Sequence, residues 1–87
     1  MLKELQEEKT KRIFNLYKNN LIRLHKEHGQ IRFNVIQYVC HFPKINPFKM
    51  ASVLMTENYN VVFDDSSISE HENEKLYKKV LNYQETI

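Results

Sequence analysis

The chain has 87 residues, with 28% charged and 41% hydrophobic side chains, one Gly, two Pro and one Cys. That is one small domain at most, and it excludes multi-domain enzymes, disordered tails and membrane bundles. The scarcity of turn residues also argues against a β sandwich, which needs a turn about every 8–12 residues.

The formal net charge of +2 is unevenly spread. Residues 1–33 hold eight basic and four acidic side chains, residues 34–63 two and one, and residues 64–87 three and six. The chain therefore runs from +4 through +1 to −3, a weak dipole along the sequence. A net charge this mild is not by itself the footprint of a nucleic-acid binder.

The first predicted element is a helix from Leu2 to His28. Ile13, Leu16, Tyr17, Leu21 and Leu24 recur at helical spacing, with Leu5 on the extension of the stripe and Phe14 and Ile22 widening it. Glu4, Glu7 and Glu8 suit the positive end of the helix dipole, and Lys26 and His28 the negative end. Gly29 follows at once, as a left-handed cap requires. Residues 6–12 are wholly polar, so the first turns are expected to project from the body.

Residues 30–42 carry two competing periods. Ile31, Phe33 and Val35 alternate with polar residues as in a strand, whereas Val35, Ile36, Val39 and Phe42 repeat as in a helix. The reconciled reading is a short extended piece at 30–33, Asn34 as cap, and a helix to Phe42 that Pro43 ends. Asn46-Pro47 then starts a third helix to about Asn58. This helix has apolar residues on more than one face and is expected to be the most buried. Val61, Val62 and Phe63 read as a short strand or buried loop, and Asp64 to Ser67 as a turn. Ser69 with Glu72 three residues on is a capping box for the last helix. Its apolar face is Leu76, Tyr77, Val80 and Leu81, extended by Gln84, with Tyr83 at the edge.

The expected fold is mainly α: one domain over residues 1–87, with a long helix over 2–28 and a helical body over 30–87. It has about four helices and at most a short two-stranded β element. The element order resembles a winged helix, with strands flanking a helix pair.

Few residues carry chemistry. His25 and His28 lie one helical turn apart, but structural zinc needs four ligands and catalytic zinc normally three from the protein. Cys40 sits in an apolar run and reads as a small core residue rather than a nucleophile. A single Gly cannot build a phosphate-cradling loop. The expectation is a non-enzymatic protein with no metal, no cofactor and no small-molecule substrate. One Cys, a charged N-terminal start and no apolar stretch near the roughly 18 residues of a membrane span point to a cytoplasmic, reducing setting. The lean toward Lys, Asn, Glu, Ile and Tyr without Trp matches an AT-rich genome, such as those of low-GC bacteria, their phages and mobile elements, or of some eukaryotes.

The function this composition favours is regulation or inhibition by binding a macromolecule, above all a protein. Two contact sets stand out. The first is Arg12, Tyr17, Lys18 and Arg23 on the first helix, and the second is the acidic turn of Asp64, Asp65, Glu70 and Glu72. The first helix, longer than one small core needs, also fits a homodimer. The alternative is a winged-helix-like DNA-binding regulator reading bases with Lys49, Ser52 and Thr56.

Overall fold

The computed structural model describes residues 2–85, with side chains from 8 to 83. In chain order the elements are α1 (Leu2–His28), β1 (Ile31–Arg32), α2 (Phe33–His41), α3 (Pro47–Thr56), β2 (Val61–Val62) and α4 (Glu70–Glu85). The expected places of Leu5 and Gln84 on their apolar stripes concern side chains outside those described.

α1 follows the predicted span. Its 27 residues make a rod of ~40 Å, close to the 46 Å longest extent of the molecule. Residues 8–12 are all exposed, while Leu21 is fully buried and Phe14, Tyr17, Ile22 and Leu24 pack on the core. Gly29 ends the helix at φ 74°, where its N–H donates to the His25 carbonyl at 2.7 Å. No atom stands where a side chain would go, so the requirement for Gly is one of backbone conformation.

β1 and β2 pair in parallel, Ile31 opposite Val61 and Arg32 opposite Val62. Both are two residues long. The Ile31 N–H donates to the Asn60 carbonyl at 2.8 Å, and the Asn60 N–H donates to His25 Nε2 at 3.2 Å. His25 thus ties the end of α1 to the entrance of β2, with its ring edge-on to Tyr59 at 5.2 Å. The strands do flank the α2–α3 pair as the winged order predicts. However, the pairing is parallel, and no hairpin wing follows β2 among the described residues.

The 30–42 segment resolves differently from its predicted cap. Helix α2 begins at Phe33, with Arg32 in the cap position and no side-chain cap. Asn34 lies inside the first turn, where its Oδ1 accepts from the adjacent Val35 N–H at 3.1 Å. Phe42, placed by spacing on the buried stripe, is instead 90% exposed. It is the C-cap residue of α2.

α2 and α3 end in the same way. After α2, Lys44 N–H donates to the His41 carbonyl and Ile45 N–H to the Cys40 carbonyl. After α3, Asn58 N–H donates to Met55 and Tyr59 N–H to Leu54. Both are Schellman closures, with Lys44 (φ 58°) and Asn58 (φ 70°) in the left-handed position that Gly commonly fills. A chain with one Gly therefore carries two strained non-Gly turns, each costing on the order of 1–2 kcal/mol.

α3 starts at the predicted cap. Asn46 Oδ1 accepts from Phe48 N–H at 2.9 Å and from Lys49 N–H at 3.4 Å, a cap that contributes about 1 kcal/mol. Its Nδ2 donates to Tyr83 Oη at 3.0 Å and so pins α3 to the far end of α4. Met50, Ala51, Ser52 and Leu54 are buried, and α3 packs most extensively on α4 and then α2. The core is one cluster of Leu21, Ile31, Phe33, Ile36, Cys40, Met50, Ala51, Leu54 and Val80. It draws on every element except β2, whose Val61 packs against it from the edge. No helix is long and apolar enough to cross a membrane, among the described residues.

Candidate functional site: an acidic groove over an aromatic ladder

The turn between β2 and α4 is held from both sides. Asn73, one turn into α4, accepts the Asp65 N–H on Oδ1 at 3.2 Å and donates Nδ2 to the Asp65 carbonyl at 3.0 Å. Asp65 Oδ1 accepts from the Ser67 N–H at 2.9 Å and from the Ser67 hydroxyl at 2.6 Å. The Ser67 hydroxyl, followed by its N–H, holds the Asp65 carboxyl below the usual range, because both donate to the charged form. This contribution to the turn is present above the ordinary carboxylate pKa and is lost as pH falls through the lowered value. Ser69 then caps α4, its hydroxyl oxygen accepting the Glu72 N–H at 3.1 Å, which is the N-cap half of the predicted capping box.

The result is an open groove. Its floor is Phe63, Ile68 and Tyr77, and its rim carries Asp64, Asp65, Glu70 and Glu74. Three of the four acidic residues named from sequence therefore meet here, while Glu72 is exposed on α4 outside the groove. Asp64 faces the Arg32 guanidinium at 3.7 Å, and Glu74 pairs with Lys78 at 3.4 Å. Exposed pairs of this kind contribute about 0–1 kcal/mol and exchange readily for other partners.

The floor is coupled to the core by a run of rings. Phe48 lies 5.4 Å from Phe33, Phe33 stacks on Phe63 at 5.0 Å, and Phe63 meets Tyr77 edge-on at 5.3 Å. Phe33 is buried, and Tyr77 at the other end is 40% exposed. The Lys79 ammonium covers the outer ring of Phe48 at 4.6 Å. Sequence reading missed Phe63, Ile68, Glu74 and Tyr77 as site residues. Tyr77 and Glu74 are three residues apart on α4, a spacing that places them on one face. Their convergence with Phe63, in contrast, is purely tertiary.

The basic set on α1 is not one surface. Arg12 and Arg23 are exposed and, eleven residues apart, lie three turns along one line of the helix. Lys18 is drawn down to Glu57 by an ion pair at 3.0 Å and is half-buried. Tyr17 packs on the core and lines a different groove, toward α2.

The set named for DNA reading is broken up. Ser52 is fully buried, so it cannot reach a base edge. The Lys49 ammonium sits over the Phe14 ring at 5.5 Å, and the Thr56 hydroxyl donates to the Ser52 carbonyl at 2.9 Å. The three are spaced along one line of α3, with Lys49 and Thr56 exposed at its ends and Ser52 buried between them.

No group of three or more His, Cys, Asp or Glu side chains able to hold a metal exists among the described residues. Cys40 is fully buried, and burial pushes its thiol up from 9.0 to about 11. Reaction with a disulfide reagent at pH 8 is therefore expected only after denaturation. The sign of the alkaline effect follows from proton counts. Between about pH 9 and 11 the folded thiol keeps a proton that the unfolded one has lost. Stability should then fall with rising pH by about 1.4 kcal/mol per unit. The difference between wild type and Cys40→Ala in urea melts across that window isolates this slope; parallel curves would contradict it.

Comparison with protein-family models, curated protein sequences and solved structures returns no match to this chain.

Proposed function

We propose that this chain is a small regulatory or inhibitory protein that makes and breaks no bonds and acts by holding a basic segment of a partner protein in the β2–α4 groove. The observation that carries the reading is the groove's construction, a carboxylate rim over an aromatic floor. An Arg or Lys side chain fits such a surface in two ways at once. Its alkyl stem and cationic head lie on the rings, and its remaining donors meet carboxylates. The groove is open along its length, which suits an extended peptide or a protein edge better than an enclosed small molecule. Occupying a basic partner surface, including one that otherwise holds nucleic acid, would block that surface sterically.

The rim alone is weak, since each exposed ion pair is worth about 0–1 kcal/mol. Affinity must come from several pairs together with burial of Tyr77, the type of side chain that anchors interfaces. The test is fluorescence anisotropy with a labelled peptide alternating Arg and Leu, against a matched peptide alternating Glu and Leu. Binding of the basic peptide alone, weakened by salt and lost in Glu70→Lys and Tyr77→Ala, is the expected result. Equal binding of both peptides, or binding indifferent to Glu70→Lys, would remove the groove from the account. Retention of the chain on duplex DNA at low salt, falling steeply as salt rises, would favour the DNA-binding alternative instead.

A further inference from the structure

The end of α1, the strand β1 and the start of α2 enclose a recess of about 320 Å³. It shares no lining residue with the β2–α4 groove and is more enclosed. Leu24 and His28 stand one turn apart at the end of α1. Ile31 and Arg32 come from β1, Gln30 precedes them, and Val35 lies in the first turn of α2. Leu24, Ile31 and Val35 form an apolar floor, with Ile31 buried and the other two half-buried. The polar edge is an Arg guanidinium, an amide and an imidazole, and the lining contains no Asp or Glu. The nearest carboxylates are Asp64, 3.7 Å from Arg32, and Glu27, 3.8 Å from His28. Both distances exceed a hydrogen bond, so the donors of the Arg32 fork are not spent on them.

We infer that this recess binds a small apolar carboxylate. Its carbon body lies on Leu24, Ile31 and Val35, and its carboxylate meets the Arg32 guanidinium, with the Gln30 amide as a second donor. Charge, shape and size select this ligand class together. The lining carries a fixed positive charge and no negative one, so an anion is attracted and a cation repelled. A planar guanidinium matches a carboxylate with two parallel hydrogen bonds. One guanidinium balances one negative charge, whereas a phosphate monoester brings about −1.5 to −2 and would be left under-neutralised. An apolar floor with a few convergent polar groups is the composition of a small-molecule site, and the volume lies at the lower end of the roughly 300–1,000 Å³ of such sites. A cavity of about 150 Å³ holds one benzene ring, so this one has room for about two.

Titration of the full chain with naphthoate, followed by proton–nitrogen NMR, tests the site. Two probes with the same rings serve as controls, the neutral naphthylmethanol and the cationic naphthylmethylamine. Naphthoate is expected to bind with Kd on the order of 1 mM or lower, with the largest shifts at Leu24 and residues 30–35. The alcohol should bind about tenfold more weakly or worse, and the amine not at all. Arg32→Gln is expected to weaken naphthoate about tenfold or more and to leave the alcohol unchanged, which a merely structural role of Arg32 would not do. Arg32→Lys keeps the charge without the fork and should restore part of the loss. The circular-dichroism melts of both variants should stay close to wild type, because the Arg32 side chain is exposed. No naphthoate shift at millimolar concentration overturns the proposal. So does equal binding of carboxylate and amine, or naphthoate affinity indifferent to Arg32→Gln. Shifts centred on the exposed Tyr38 and Phe42 rings would show adhesion to aromatics elsewhere, and that also overturns it. The assay contains no basic peptide, so its outcome is read separately from the β2–α4 groove.

Discussion

Leu54→Asp is expected to leave the chain unfolded, with no cooperative thermal transition by circular dichroism. Leu54 is fully buried in the last turn of α3, the helix that packs on both α4 and α2. No basic side chain belongs to the buried cluster around it. A carboxylate placed there either stays ionised without a partner or takes up a proton; both cost several kcal/mol. Small domains have total stabilities at the low end of about 5–15 kcal/mol, and here nine apolar residues form the buried set among the described residues. Leu54→Ala separates charge from packing. It should cost about 2–5 kcal/mol and lower Tm by more than about 8 °C, since each kcal/mol is worth about 4–8 °C at this size. A Leu54→Asp variant with a wild-type melt would show that α3 does not sit at the centre of the core.

The second large effect belongs to Phe33. This side chain is buried and touches two rings, Phe48 toward α3 and Phe63 toward the groove. Phe33→Ala removes the middle of the ladder and is expected to cost about 3–5 kcal/mol. Its second consequence is local, because Phe63 and then Tyr77 lose the support that fixes the groove floor. Phe33→Leu keeps most of the volume and should cost less than about 1.5 kcal/mol. Comparing the two variants separates filling the core from stacking the ladder. If Phe33→Ala melts within about 1 kcal/mol of wild type in urea, the ladder does not connect core and groove as described.

Most of the architecture was legible before any coordinates, because its signals are local. A helix reports itself through periodicity and through caps a few residues long. Gly29, Asn46-Pro47 and Ser69 marked a helix end and two helix starts where the backbone confirms them. The acidic turn was likewise visible as composition, although which of its members converge was not.

Residues 30–42 were ambiguous because their two periods are both real. Ile31 is extended because its N–H has a partner in Asn60, twenty-nine residues away. Phe33 begins a helix because nothing beyond Arg32 is paired in the sheet. That boundary is set by the length of a two-residue parallel ladder, which no local pattern encodes. Phe42 fits the helical period and yet is 90% exposed, on the same side of α2 as the exposed Tyr38 one turn earlier.

The sequence by itself determined the helical content, the order of elements, the central position of α3 and the split between a basic first helix and an acidic last third. Those properties depend on neighbours a few residues apart, where periodicity, capping and charge act directly. Only the tertiary structure decided which side chains face each other. It buried Ser52, tied Lys18 to Glu57, and carried the Phe33–Phe63–Tyr77 ladder out under a rim of carboxylates. It also left Tyr38 and Phe42 outside. In so small a chain one core cannot cover every apolar face, and which face remains open depends on how the helices cross rather than on any one of them.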